Sequence, residues 1–232
     1  MQSEGVSRGT ASCSTRFEKE CTGRVTRAGR PRHTNGFSGI FPPRMPTFYD
    51  RFVECAERWP ENVALEIQTP DGSESHTYAE LRGMAQSFGA WLVAHGIEPG
   101  ARIAILADNH PRWVAAYLGI IAAGGTAVPL DTAYHADQVA KLLADSGSSL
   151  LVCDHKHWDV ALEAIDRAEV GIVLTDSGLG PDGQPGAAVP TQAVANFVKI
   201  FSQGSRDFKP IPRAPDDLAS LLYTSGTTAD PK

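Results

Sequence analysis

The stretch RIAILADNHPRWVAAYLGIIAAGGTAVPL, residues 102–130, decides the fold class. Its first six residues form a short apolar run of the kind that makes a buried strand. Pro111 opens a helical pattern that is apolar on every side through Ala123, so this helix must be buried. A second apolar run follows at residues 126–130. A strand, a buried helix and another strand together indicate a parallel β-sheet that is covered by helices on both faces.

Towards the amino terminus the pattern predicts a helix, a hairpin and a longer helix. Thr47 is placed to cap the first helix, and residues 63–68 and 75–77 alternate like the two strands of a hairpin. Thr77 and Glu80 form a capping box that begins the longer helix. The buried stripe of that helix is predicted to comprise Leu81, Met84, Phe88, Trp91 and Leu92.

Towards the carboxyl terminus, helices and strands continue to alternate. The predicted helices span residues 135–145 and 156–168, and the predicted strands span residues 149–153, 171–175 and 218–223. A Gly- and Pro-rich loop occupies residues 176–190, and Thr191 is expected to cap a helix that includes Phe201. The predicted fold class is therefore α/β, with a mostly parallel sheet covered by helices.

Residues 1–44 differ from the rest of the chain in composition and charge. They carry eight Lys and Arg against three Asp and Glu, a net charge of +5, whereas residues 45–232 carry 13 against 24, a net charge of −11. Because this basic segment has no apolar period, it cannot offset its own ordering entropy, and we predict a disordered tail. An organellar transit peptide and an upstream start codon, with Met45 as the true first residue, are the alternatives. Residues 45–232 are predicted to form one domain.

The composition disfavours several functional classes. An acidic body would repel a nucleic-acid backbone, and no nucleic-acid recognition motif is present. The four cysteines form no CxxC pair, so we expect neither a disulfide framework nor a zinc site. No apolar segment is long enough to span a bilayer, and a cytoplasmic location is expected. Surface or capping roles are expected for His110, His135, His155 and His157.

The last eleven residues, LYTSGTTADPK at positions 222–232, place hydroxyl groups, a glycine and a lysine directly after an apolar run. Hydroxyl donors, close backbone approach at Gly226 and the mobile charge of Lys232 suit a polyphosphate ligand. The carboxyl end of a strand is also where open α/β sheets bind their ligands. The run is neither a Walker loop nor a GxGxxG fingerprint, so composition alone leaves a solvated loop as the alternative.

Three stretches of the chain resemble conserved regions of the adenylate-forming superfamily. YTSGTTADPK at 223–232 resembles its signature phosphate loop, and HTYAELRGMAQSFGAWL at 76–92 resembles its first conserved helix. YLGIIAAGGTAVPLDTAYHADQVAKLLADS at 117–146 resembles its buried helix, the following strand and the next helix. Together the three imply the amino-terminal part of the large domain over about residues 46–232. In this superfamily an acid and ATP form an acyl adenylate, which is then passed to a thiol.

The resemblance assigns six residues to the loop that holds the β- and γ-phosphates of ATP. They are Thr224, Ser225, Gly226, Thr227, Thr228 and Lys232. Hydroxyl and amide donors spread over the phosphate oxygens there, and the ammonium compensates charge as pyrophosphate leaves. Ala229 stands where the family commonly has glycine, which is expected to make the turn less mobile. The simpler interpretation of Tyr223 is packing at the end of a strand.

Residues 105–113, ILADNHPRW, resemble the ILxENRPEW region of long-chain fatty acid–CoA ligases, with Asn109, Pro111 and Trp113 matching. Asn109 is expected to cap a helix, Pro111 to lie in its first turn and Trp113 to pack. Asp131 is expected to cap the turn that follows the next strand. These residues then indicate ancestry rather than chemistry.

The resemblance implies an ATP-dependent acyl-CoA synthetase that uses ATP, Mg²⁺, CoA and a carboxylic acid, here a long-chain fatty acid. The lipid substrate implies peripheral contact with membranes. Further catalytic groups of the family lie beyond Lys232, so we expect an amino-terminal fragment that lacks the C-terminal portion of the enzyme and holds no complete catalytic set. The alternatives are a truncated, non-catalytic product or binding module, and a fragment of an amino-acid-activating adenylation domain.

Overall fold

The computed structural model describes residues 46–70, 72–165, 171–174, 193–205 and 208–224. The predicted tail, the predicted loop at residues 176–190 and residues 225–232 lie outside these ranges. No helix within them combines the length and the apolar character that crossing a bilayer requires.

Helices and strands alternate along the described part of the chain. The helices are α1 (Phe48–Arg58), α2 (Tyr78–Ala94), α3 (Pro111–Ala122), α4 (Ala136–Ser146), α5 (Trp158–Ile165) and α6 (Phe197–Gln203). The strands are β1 (Val63–Thr69), β2 (Gly72–Thr77), β3 (Arg102–Leu106), β4 (Thr126–Pro129), β5 (Ser148–Cys153), β6 (Gly171–Leu174) and β7 (Ala193–Asn196). A 3₁₀ turn, His155–His157, precedes α5.

Five of the strands form one parallel sheet in the order β4-β3-β5-β6-β7. The other two strands, β1 and β2, form a separate antiparallel hairpin. Parallel neighbours need a crossover connection, and helices supply it between β3 and β4, β4 and β5, and β5 and β6. The α/β fold class that the sequence predicts is confirmed.

Alternate residues of β3 face opposite sides of the sheet. Ile103 and Ile105 lie in a buried cluster with residues of α2, α3 and α6, whereas Ala104 and Leu106 lie in a second cluster with α4 and α5. Ile120 of α3 is fully buried in the first cluster, which confirms that the apolar helix is covered. The sheet is therefore covered on both faces, as its uninterrupted apolar strands require.

Reciprocal hydrogen bonds fix the start of α2. Thr77 Oγ1 accepts from the Glu80 N–H at 3.2 Å, and the Thr77 N–H donates to Glu80 Oε2 at 2.8 Å. The predicted capping box is confirmed, and Thr47 and Asp50 make a second one at α1. Hydrogen bonds from the Thr77 backbone and hydroxyl hold the pKa of Glu80 below its usual value. Side-chain chemistry that acts over three residues thus sets both helix starts.

The predicted helix that Thr191 would cap is wrong in its position. Residues Ala193–Asn196 form β7, which pairs with β6, and the helix begins only at Phe197. Asn196 Oδ1 accepts from the Lys199 N–H at 2.9 Å and so caps α6. The spacing of apolar residues in so short a run is compatible with a strand and with a helix. Here the segment is a strand because it pairs with β6. Thr191 itself lies outside the described residues.

Candidate functional site

The lead-in segment, residues 218–224, lies beside β4 and runs up to the predicted phosphate loop. The Ala127 N–H donates to Ala219 O at 3.0 Å, and the Leu221 N–H donates to Ala127 O at 2.9 Å. The strand predicted here is confirmed only as a single parallel bridge, because only one residue of the short strand β4 exchanges both of its backbone groups with the segment. The Thr126 hydroxyl adds a hydrogen bond of 3.0 Å to a carbonyl of the lead-in segment.

The structure describes one of the six predicted phosphate-binding residues. Thr224 is exposed at the end of the lead-in segment. The other five lie outside the described residues: Ser225, Gly226, Thr227, Thr228 and Lys232. Their assignment stays a prediction, and the described geometry fixes only where the loop begins, at the edge of the sheet next to β4.

Tyr223 ties the lead-in segment to α4. Its hydroxyl donates to Asp145 Oδ2 at 2.7 Å, and its ring lies against the apolar cluster of α4 and α5. Burial, followed by the hydrogen bond and negative charge of Asp145, raises the pKa of Tyr223 to about 12. Packing at the strand end is confirmed for Tyr223, with a hydrogen bond in addition.

We expect Tyr223→Phe to remove an ionisation near pH 12 from the alkaline absorbance titration of the tyrosines. The neutral phenol is the form that donates to Asp145. Its stabilising contribution is therefore fully present below the ordinary tyrosine pKa of about 10 and is lost as the pH rises from there through about 12. Tyr134→Phe is the matched control and should leave that ionisation in place. If the curve of Tyr223→Phe kept the same absorbance step, that ionisation would belong to another tyrosine and the assignment to Tyr223 would be wrong.

The loops that follow β3 and β5 meet at the carboxyl end of the sheet. Asp154 Oδ1 accepts from the His157 N–H at 3.0 Å and lies 2.6 Å from His157 Nδ1. Asp154 Oδ2 accepts from the backbone N–H of Asp108 at 2.8 Å. Lys156 Nζ lies 2.7 Å from Asp108 Oδ2. A carboxylate and an ion pair therefore join the two loops, and we call this group the loop junction.

His157 departs from the surface or capping role predicted for the histidines, because its side chain is only 8% exposed. The ligand atoms of Asp108, Asp154 and His157 lie within 4.8 Å of one another, as in a metal site. Both oxygens of Asp154 already accept hydrogen bonds, and Lys156 neutralises Asp108, so the arrangement acts as a structural junction. Sequence reasoning missed it, although Asp154 directly follows β5, Asp108 comes two residues after β3, and the two strands are neighbours.

His110, and not Asn109 as predicted, caps α3. Its Nδ1 accepts from the N–H two residues further on, at 3.1 Å. The cap falls to His110 because it is the residue that immediately precedes the first helical residue, Pro111. Pro111 occupies the first turn as predicted. The predicted capping role of Asp131 is confirmed, since its Oδ1 accepts from a loop N–H two residues on, at 2.9 Å.

Two adjoining cavities open beside the loop junction. The junction cavity, about 320 Å³, is lined by residues of both loops and by Arg112 and Trp113 of α3. The hairpin cavity, about 380 Å³, lies between β1 and the start of α3 and has mostly apolar walls. Trp113 and Ile67 line both cavities. Each volume falls in the range of small-molecule pockets, roughly 300–1,000 Å³.

Comparison with known protein families identifies the family of the chain. Residues 52–232 match the family described as AMP-binding enzyme. The chain belongs to the AMP-binding enzyme family. The match includes the sheet, its helices and the predicted phosphate loop. The predicted membership of the adenylate-forming superfamily is thereby confirmed.

Two of the curated proteins that the chain is similar to are a CoA ligase and a tyrocidine synthase, and both are much longer than the chain. The chain is 32% identical over 166 residues to 3-hydroxybenzoate–CoA ligase of Aromatoleum sp. (strain CIB), an alignment that covers 69% of this chain and 29% of the relative. It is 30% identical over 191 residues to tyrocidine synthase 3 of Brevibacillus parabrevis, covering 80% of this chain and 2% of the relative. The chain thus spans less than a third of the length of either relative.

A solved structure also matches most of the chain. ATP-bound MatB of Rhodopseudomonas palustris superposes with a TM-score of 0.60 and 29% sequence identity, over 78% of this chain and 33% of MatB. The described sheet and helices therefore correspond to about a third of that fold. The relatives include both a CoA ligase and a tyrocidine synthase, so they do not single out a fatty acid as the substrate.

Proposed function

We propose that this chain supplies the amino-terminal part of an ATP-dependent acid–CoA ligase. The observation that supports it is the string YTSGTTADPK at residues 223–232, which lies inside the AMP-binding match and begins two residues after Leu221, whose N–H donates to Ala127 O of β4. Ligands of open α/β sheets bind outside the carboxyl ends of the strands, and the lead-in segment lies at the edge of the sheet next to β4. ATP is the ligand that its hydroxyl, amide and ammonium donors suit.

Each proposed site residue contributes a donor to the ATP phosphates. Thr224, Ser225, Thr227 and Thr228 offer hydroxyls, Gly226 offers close backbone approach, and Lys232 offers a positive charge. The loop would hold ATP so that the carboxylate of the acid attacks the α-phosphate in line with the departing pyrophosphate. Mg²⁺ supplies further charge compensation on the phosphates when it is bound. The thiol sulfur of CoA then attacks the acyl carbonyl carbon of the acyl adenylate, and the thioester forms as AMP leaves.

For the acid, we propose a long-chain fatty acid. The motif ILADNHPRW at residues 105–113 supports this choice through Asn109, Pro111 and Trp113. An aryl acid or an amino acid is the alternative, favoured by the relationship to 3-hydroxybenzoate–CoA ligase and to tyrocidine synthase 3, respectively. A cytoplasmic location, with peripheral contact with membranes through the lipid substrate, completes the proposal.

Acid-dependent exchange of pyrophosphate into ATP tests the proposal in the full-length gene product. We expect exchange with palmitate, followed by palmitoyl-CoA formation when CoA is added. Exchange with 3-hydroxybenzoate alone would retain the ligase class and reject the fatty acid, and exchange with amino acids alone would indicate an adenylation domain. If no acid of the three classes supported exchange and no ATP bound, the chain would belong to a non-catalytic protein and the proposal would be wrong.

A further inference from the structure

The strand order places a topological switch point between β3 and β5. From β3 the chain crosses to β4 on one side through α3, and from β5 it crosses to β6 on the other side through α5. The residues of α3 pack on one face of the sheet and those of α5 on the opposite face. The two loops therefore diverge and leave a crevice at the carboxyl ends of these strands, the place where open α/β sheets bind ligands. The junction cavity occupies this crevice, on different strands from the lead-in segment.

The charged groups around the junction cavity leave one cation unpaired. Lys156 pairs with Asp108, and both oxygens of Asp154 accept hydrogen bonds from N–H groups. Among the described residues, the guanidinium of Arg112 has no hydrogen-bond or ion-pair partner. Arg112 also lies in the first turn of α3, which contains no acidic side chain, so the positive end of the helix dipole adds to its charge. This corner of the cavity favours an anion.

The two acids of the loop junction limit the charge of that anion. Asp108 and Asp154 formally balance Lys156 and Arg112 when His157 is neutral, so the lining has no surplus positive charge to compensate the second charge of a dianion. A carboxylate matches the planar fork of the Arg112 guanidinium, which can donate two parallel hydrogen bonds to it. The lining therefore suits a monoanionic carboxylate better than a phosphate.

The hairpin cavity next to it supplies a flat apolar surface. Trp113 lines both cavities, and its ring stacks on Tyr117 with the centroids 5.5 Å apart and the planes 8° from parallel. Leu65 and Val114 contribute further apolar wall. Among the described residues that line this cavity, Glu66 is the acidic one, and its carboxylate oxygens accept hydrogen bonds from Gln68 and Ser75. A flat ring system fits beside Trp113 while its carboxylate reaches Arg112.

We propose that this crevice is a second ligand site, which binds an aromatic monocarboxylate with its carboxylate on Arg112 and its ring system against Trp113. The site involves neither the lead-in segment nor the predicted phosphate loop. It requires no ATP, and it stands whether or not the ligase proposal does. Its ligand is held by one charged contact, with Arg112, and one apolar contact, with Trp113.

To test this site, 1-naphthoate is titrated into the chain in the absence of nucleotide, and its binding is measured by isothermal titration calorimetry. We expect one equivalent to bind to the wild type and Arg112→Gln to weaken binding at least tenfold, about 1.4 kcal/mol. Arg51→Gln is the matched control, because it removes an exposed arginine that pairs with Glu54 on α1, and should bind like the wild type. The unfolding midpoint of Arg112→Gln should not change, since its guanidinium makes no hydrogen bond or ion pair with a described residue.

The neutral analogue 1-naphthalenemethanol separates charge recognition from apolar adsorption. We expect it to bind at least tenfold more weakly than 1-naphthoate to the wild type, and equally to the wild type and Arg112→Gln. The site is overturned by any of three results: no binding of 1-naphthoate at millimolar concentration, equal affinity of Arg112→Gln and the wild type, or equal affinity for the acid and the alcohol.

Discussion

We expect Lys232→Ala to lower the rate of acyl-adenylate formation by about 10²–10³-fold in the full-length gene product, the loss typical of removing one donor from a developing anion. The proposed role of Lys232 is to compensate the charge that accumulates as pyrophosphate leaves. That charge is greatest in the transition state, so the loss should appear mainly in kcat and less in the KM for ATP. The measurement is acid-dependent exchange of pyrophosphate into ATP at saturating acid.

The second half-reaction supplies the control for Lys232→Ala. Once the acyl adenylate has formed, no pyrophosphate remains, so thioester formation from a supplied acyl adenylate should proceed at a rate near that of the wild type. Lys209→Ala, at an exposed lysine of the described region, should leave both half-reactions unchanged. An equal loss in the two half-reactions would assign Lys232 a structural role instead.

We expect Gly119→Ala to cause the largest loss of stability among single-methyl additions to the core. Gly119 lies where α3 approaches α2, and a Cβ there would lie 2.7 Å from Ala85 O and 3.0 Å from Phe88 Cδ1. A backbone oxygen cannot turn aside, so the two helices would have to separate. Overpacking of this kind lowers the free energy of unfolding by roughly 1–3 kcal/mol, and we expect the loss at Gly119 to lie at the upper end of that range. Urea denaturation of the complete chain measures the change.

Gly83→Ala adds the same methyl group to α2 and serves as the matched control. A Cβ at Gly83 would have no heavy atom within 4 Å outside its own helix and neighbours. The substitution should raise the free energy of unfolding by roughly 0.5–1 kcal/mol, because alanine loses less backbone entropy than glycine in a helix. If Gly119→Ala were as stable as Gly83→Ala, the close approach of α2 and α3 would not be the packing that the structure has.

Local chemistry made some elements predictable with good accuracy. The Thr77 and Glu80 side chains act on backbone groups three residues away, so the start of α2 could be read from the sequence, and Pro111 marks the start of α3 in the same way. The apolar period of α3 also predicted its burial, because no surface position accommodates a helix that is apolar on every side. In each case a short segment carries all the information.

Other elements depend on partners that are distant in sequence. Residues Ala193–Asn196 form a strand only because β6 offers an edge, and the lead-in segment is a single bridge because β4 is short. The residue that caps α3 is His110 and not Asn109. This is a shift of one residue, and the pattern of residue types in the sequence does not determine a helix boundary that closely. For the phosphate loop, the described residues reach only Thr224, so its assignment rests on the sequence and the family match.

Contiguous residues were enough to establish the parallel α/β fold, the starts of α1, α2 and α3, and the family, because period, capping chemistry and the loop string are all local properties of the chain. Three-dimensional packing was needed to establish that Asp108 and Asp154, 46 residues apart, meet in one junction, and that Arg112 lines its cavity beside Trp113. The strand order of the sheet brings these loops together, and that order is set by which strands pair. Pairing depends on the packing of both faces at once, which no single segment of the chain encodes.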